Sequence, residues 1–323
     1  MIISALASCY EQLLREHPDQ VARLGWTTCK VKYQLVISED GKPVKIIPAA
    51  EKNGVTRVVP TQVKRTAGVK ANFLCDTASY IFGVDAKGKP DRAFRCFEAS
   101  RVIHAQILNN VGSVVARAIL AYYSSWNPGD SSTLKCLEPE FENACAGGNV
   151  TFAVLSDGGS LLLAEEDEAI ASAWDERTID VSADAGTMVC LATGEKGTPA
   201  LLHPSIKGVY GAQSAGASLV SFNAPAFESY GHDGEQGRNA PVAEKTAQAY
   251  GLALNYLLSD RSHHMRMGDT TVVFWAEHAD RRNTDLFSLL LGGRTQSAAA
   301  DGAIVDKSLE SVLRSLRSGK SAD

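Results

Sequence analysis

Residues 29–48 read CKVKYQLVISEDGKPVKIIP. Over 29–37 short apolar and polar side chains alternate, which is the period of a strand with one buried face. Glu39-Asp40-Gly41 then interrupts the pattern, and Asp-Gly supplies the positive φ that a tight hairpin turn requires. The run KPVKIIP turns the chain back. The reading is a β-hairpin with Asp40-Gly41 at its turn, within an N-terminal α/β region.

Upstream, Ile2, Leu6, Tyr10 and Leu13 recur at spacings of four, four and three, the stripe of an amphipathic helix that ends before His17-Pro18. Downstream, Pro48 and Pro60 bracket a polar stretch, so 49–72 is expected to be a loop or projecting ribbon. Residues 91–108 and 113–123 read as helices separated at Asn110 and Gly112. The stretch 127–149 is rich in Pro, Gly, Ser and Asn and is the expected boundary between two domains, 1–130 and 131–323.

Beyond it, 150–155, 160–164 and 187–192 read as strands and 165–175 as an acidic helix. A glycine-rich segment covers 207–240. Pro241 opens a helix over 241–259 with Leu252, Tyr256 and Leu257 on one side. TTVVFWAE (270–277) has the β-branched and aromatic content of a buried strand. Helices near 283–291 and 303–317 complete a mixed α+β class, with no internal repeat and no heptads.

The 323 residues are 45% apolar and 21% charged, enough to bury a core without a disulfide or metal staple. Seven cysteines, an odd number with no C-x-x-C pair, suggest free thiols in a reducing compartment. Leu6-Ala7-Ser8-Cys9 resembles a lipoprotein cleavage box. No positive charge precedes it and helical sequence runs through it, so a cytoplasmic protein is expected. No window approaches the roughly 18 apolar residues of a membrane span. The net charge of −5 alone argues against a nucleic-acid partner. Its distribution does not: seven bases stand against Glu51 alone between residues 41 and 73, whereas nine acids stand against Arg177 between 150 and 185.

Catalytic patterns are weak. Ala212-Gln213-Ser214-Ala215-Gly216 nearly matches the G-x-S-x-G nucleophile elbow, which would make Ser214 a hydrolase nucleophile. An elbow needs a strand before the serine and a helix after it. Here the preceding IKGVY is a poor strand, and the residues beyond the serine are strand-like and stopped by Pro225. His232-Asp233 sits in a glycine-rich loop, not on the rigid helices that would hold metal ligands. His263-His264 and His278 lack the spacing that places two imidazoles on one helix face. No Walker loop and no Rossmann fingerprint occurs. No metal and no cofactor is expected.

The chemistry that remains is recognition. In VKRTAGVKANFL (63–74), Lys64, Arg65 and Lys70 can neutralise phosphates, and Asn72 can meet a base edge. Between Gly211 and Asn223, the side chains of Gln213, Ser214 and Asn223 stand on a backbone slimmed by glycine, which can approach a groove closely. A scaffold that touches no nucleic acid remains an alternative, as does the hydrolase.

Two long segments, KRTAGVKANFLCDTASYIFGVDAKGKP (64–90) and GAQSAGASLVSFNAPAFESYG (211–231), resemble signature segments of the large subunit of type I-C CRISPR Cascade complexes. MIISALASCYEQLL, CLATGEKGTPALLHPSIKGVYGAQ (190–213) and DRSHHMRMGDTTVVFWAE (260–277) are similar as well, in order along the chain. The resemblance implies a non-catalytic, cytoplasmic antiviral-defence protein. Such a subunit recognises the protospacer-adjacent motif on double-stranded DNA and promotes strand opening. Its implied partners are a crRNA-bound backbone, a cap subunit, a small subunit and a helicase-nuclease, with no membrane and no cofactor. Family members are usually longer, with a C-terminal helical part, so this chain is expected to correspond to their N-terminal portion.

Overall fold

The computed structural model describes residues 2–276 apart from 19, 64, 66–67, 85–88, 128–136, 185, 214–215 and 229–234. The expected helices at 283–291 and 303–317 lie outside the described residues. The class is α+β. Pro18–Met188 forms one compact unit, and Met1–His17 with Val189–Asp323 forms the other.

The sheet unit is organised by one long strand, β1 (Trp26–Ser38). The hairpin forms where the sequence places it: β2 (Pro43–Pro48) runs antiparallel to β1, with Leu35 opposite Ile46. Gly41 sits at φ +80°, and a Cβ there would lie 2.4 Å from the Tyr122 backbone nitrogen. The turn therefore needs glycine twice over, for its dihedral and for the helix beside it.

The expected loop at 49–72 is partly strand. β3 (Val55–Pro60) pairs antiparallel with the N-terminal half of β1, from Val31–Val55 to Trp26–Pro60. The two prolines mark strand ends, where a missing N–H costs no ladder bond, and so do not bracket a loop.

β4 (Asp76–Thr77) leads into the short helix α2 (Ala78–Ile81). Two longer helices follow, α3 (Pro90–Leu108), opened by a proline in its first turn, and α4 (Val114–Ser125), capped by the Ser113 hydroxyl accepting the Ala116 N–H at 2.9 Å. The compositional break at 127–149 falls inside this unit. Beyond it, α5 (Glu140–Ala146) packs into the same core, and β5 (Asn149–Leu155) returns to pair parallel with β1 over Val31–Ser38. A sheet strand cannot be parted from its neighbour without exposing its ladder, so the division lies elsewhere. β6 (Leu161–Leu163) completes a sheet of order β2-β1-β5-β4, with β3 on β1 and β6 on β5.

The core lies between this sheet and α3 and α4. Leu35, Ile37, Phe152 and Val154 face Ile119, Tyr122 and Phe97, all buried. Each such side chain is worth about 1.5–3 kcal/mol in burial. Two of the core's large polar side chains are satisfied by backbone: Tyr122 Oη donates to the Ile81 carbonyl at 2.9 Å and Trp126 Nε1 to that of Phe82 at 2.8 Å. The acidic helix, α6 (Glu168–Asp184), is longer than its sequence pattern suggests. It docks by Trp174 Nε1 donating to the Gly25 carbonyl and by Asp175 accepting from Trp26 Nε1, both at 2.7 Å.

In the second unit, α1 (Ile2–Glu16) packs on α7 (Glu244–Ser259). Leu6, Tyr10 and Leu13 are buried as the stripe predicts, whereas Ile2 is exposed. The buried face of α7 differs from the expected one: Ala247, Tyr250, Ala253 and Leu257 line it, and Leu252 and Tyr256 are half-buried at its margin. Of 187–192 only Met188–Val189 is strand. The 270–277 run also differs. Among the described residues, Thr270–Val273 (β8) pairs only with His264–Met267 (β7) in a two-stranded hairpin, and none of its four residues is buried. β-branched content gave the strand but not its burial, because no described strand covers the hairpin's faces.

Candidate nucleic-acid interface

The segment between β3 and β4 leaves the sheet at Pro60 and returns at Asp76. Thr61 N–H binds the Gly25 carbonyl at 2.9 Å at its start. Its organising residue is Asp76, 1% exposed. One carboxylate oxygen takes the Arg65 guanidinium and the Asn72 N–H (2.8 Å), and the other takes the Thr77 N–H at 2.7 Å. Burial pushes the Asp76 carboxyl above its ordinary value, against the pull of Arg65 and the two amides. The same guanidinium lies 4.0 Å above the Tyr80 ring, and its Nε donates to the Lys70 carbonyl at 2.7 Å. Arg65 thus closes the loop on itself.

Asn72 is 6% exposed, and its Oδ1 accepts the Val63 N–H at 2.8 Å. That bond settles the amide orientation, since a backbone N–H needs an acceptor. The bidentate pairing with adenine, which needs both ends of an amide free, is therefore closed to it. Below Asn72 the chain turns sharply at Leu74, a non-glycine residue at φ 59°. Cys75 N–H bonds back to the Phe73 carbonyl at 2.7 Å across this turn, and the Leu74 N–H is taken by the buried ring of His104. Loop geometry is thus fixed from beneath by α3.

The basic character of 41–73 is partly neutralised by acids outside that window. Lys42 pairs with Asp40 at 2.6 Å and Arg57 with the buried Glu165 at 3.2 Å, while Arg65 pairs with Asp76. Lys45, Lys52 and Lys70 stay exposed. Lys64 lies outside the described residues.

The glycine-rich segment belongs to the other unit. Ile206 and Ala217 exchange backbone hydrogen bonds at 2.7 and 2.8 Å, closing a loop whose exposed tip carries Gln213. Gly216, at φ +99°, makes the closure: a Cβ would stand 2.9 Å from the Ile206 carbonyl oxygen. The loop is tethered by Asn255, which accepts the Lys207 N–H and donates to the Ser205 carbonyl, and by Arg266 stacked on Tyr210. Asn223 is exposed further along the segment. Ser214 and the His232-Asp233 pair lie outside the described residues. The structure therefore brings Arg65, Lys70 and Asn72 into one loop and puts Gln213 on another, with Asn223 beyond its closure. Among the described residues no group of three or more His, Cys, Asp or Glu is arranged for a metal, and no helix is long and apolar enough to cross a membrane.

Sequence reasoning missed Asp76, Tyr80 and His104. One signal was available for the first: a lone carboxylate within ANFLCDTASYIF must find a charged partner if that apolar run is buried.

The sequence pattern of a family described as CRISPR-associated protein (Cas_Csd1) matches residues 6–323. The chain belongs to this family. Cas_Csd1 membership makes it a Cascade-type CRISPR protein and so a component of a Cas complex. No curated protein matches the chain.

Proposed function

We propose that this Cas_Csd1 protein is the large subunit of a type I-C Cascade complex. In this reading it recognises the protospacer-adjacent motif on duplex DNA, promotes strand opening, and cleaves nothing itself. The observation that carries the reading is the loop built on Arg65 and the buried Asp76, which leaves Lys70 outward and turns the Asn72 oxygen inward. Such a loop offers a fixed cation for phosphate and one preset amide donor for a base acceptor, such as guanine O6 or N7 or thymine O4. Lys64 adds a second cation and Arg65 chiefly positions the others. In the glycine-rich segment, Gln213 and Asn223, together with Ser214, are the candidates for meeting base edges. Protein then reads a short motif, while guide pairing reads the rest of the sequence.

The partners in this reading are the crRNA-bound backbone and cap subunits, a small subunit and a helicase-nuclease. The test is a motif-library depletion assay on the assembled complex carrying Gln213→Ala or Asn223→Ala, with duplex affinity measured for Lys70→Ala. Altered motif preference and weaker binding across all sequences are expected. Unchanged preference together with unchanged affinity defeats the reading.

A further inference from the structure

We infer that the N-terminal half of α3 extends the loop's basic surface, so that Arg92 and Arg95 contact phosphates of the same target duplex as Lys70. The inference rests on the reading above. Val69 and Ala71 of the loop pack with Tyr80 against Cys96, Ala99 and Ile103 of α3. Spacings of three and four put those helix residues on one stripe. At 3.6 residues per turn, Arg92 continues that stripe one turn toward the helix N-terminus, and Arg95 stands beside it, one turn before Ala99.

The loop covers the stripe only as far as Cys96. Arg92 and Arg95 are exposed, as is Lys89 at the helix N-cap. Among the described residues neither arginine is paired with an acid. Arg101, by contrast, is held by Glu98 at 2.7 Å, half a turn round the same helix. The N-terminal end of a 19-residue helix adds its own positive potential to the three side chains. The occupant that fits is a polyanion already seated at Lys70. From the Ala99 contact to Arg92, the helix carries that footprint on by about 10 Å.

The experiment measures binding of motif-containing duplex by the assembled complex at several salt concentrations. It compares Arg92→Ala/Arg95→Ala, Lys70→Ala, the triple variant, and Arg92→Lys/Arg95→Lys. Each phosphate contact contributes about 0.9 to the slope of log affinity against log salt, so slopes shallower by about two, one and three are expected for the alanine variants. The lysine variant should keep the parental slope, and crRNA content should stay unchanged throughout. A shallower slope for Lys70→Ala with an unchanged one for the double alanine variant overturns the inference and leaves the function standing. A flat response from both removes the loop reading and the inference together. Loss of crRNA or of a subunit from the double variant also overturns it, since the face then holds that component. Loss of slope in the lysine variant overturns it too.

Discussion

The Nε2 of His104 accepts the Leu74 N–H at 3.1 Å, while Nδ1 of the same ring lies 2.7 Å from the Ser100 carbonyl. Only the neutral ring with its proton on Nδ1 satisfies both contacts, because a doubly protonated ring has no acceptor for Leu74. The strained turn at Leu74, φ 59°, is thus held by a histidine that must stay uncharged.

Burial drives the His104 pKa from 6.5 down to about 4. Between those values the unfolded chain binds a proton that the folded chain refuses, so stability falls as pH drops through that window and is level above it. The full loss is roughly 3 kcal/mol. Denaturant midpoints of the parent and of His104→Gln between pH 7.5 and 4.5 check this. The parent should decline steeply and the variant, less stable at neutral pH, should decline less; parallel curves would show that another group governs the acid limb.

Removing Arg65 leaves the buried Asp76 carboxyl without its counterion, at a cost of about 3–5 kcal/mol, and removing Asp76 leaves the Asn72 and Thr77 N–H groups without their acceptor. Asp76→Ala and Arg65→Ala should both lower the melting temperature and open 61–75 to limited proteolysis. Arg65→Lys should rescue little, since lysine can neither stack flat on Tyr80 nor bond the Lys70 carbonyl at the same time. Full rescue by lysine would show that charge alone holds the loop.

Asn72→Ala should lose on two counts. The Val63 N–H goes unpaired, for about 1–3 kcal/mol, and the amide nitrogen proposed to meet a base disappears. Reduced melting temperature together with altered motif preference is expected from a depletion assay run beside a thermal melt. A lower melting temperature with parental preference would assign Asn72 to loop architecture alone.

Gly216→Ala places a methyl against the Ile206 carbonyl at a backbone angle that side chains avoid. The damage should stay local, at roughly 1–2 kcal/mol. Interference should drop sharply while the melting temperature of the whole chain moves by only a few degrees. Parental interference would mean that the 206–217 closure is not needed.

The parts of this fold that are local in sequence could be read from it. The Asp-Gly hairpin, α1, α3 and α4 each declare themselves within twenty residues or fewer by period, cap or turn chemistry. The parts that could not be read depend on distant partners. β3 hid between two prolines that look like loop markers until β1 is placed beside them. The break at 127–149 looked like a linker because composition cannot show that β5 rejoins β1. The candidate site obeys the same rule: Lys70 and Asn72 were visible as chemical types, while the loop path that carries them is held by Arg65, Asp76 and His104.

The packing of α1 on α7 has a consequence for biosynthesis. About 230 residues separate the two helices, and the whole sheet unit is made between them. At 5–20 residues per second, α1 leaves the ribosome roughly 10 to 50 s before its partner exists. During that interval Leu6, Tyr10 and Leu13 have no groove to enter. The nascent chain must keep an amphipathic helix in water, or on a chaperone, until Leu257 has been translated. Slow synthesis, or truncation before residue 244, should therefore yield a folded sheet unit carrying an adhesive N-terminus.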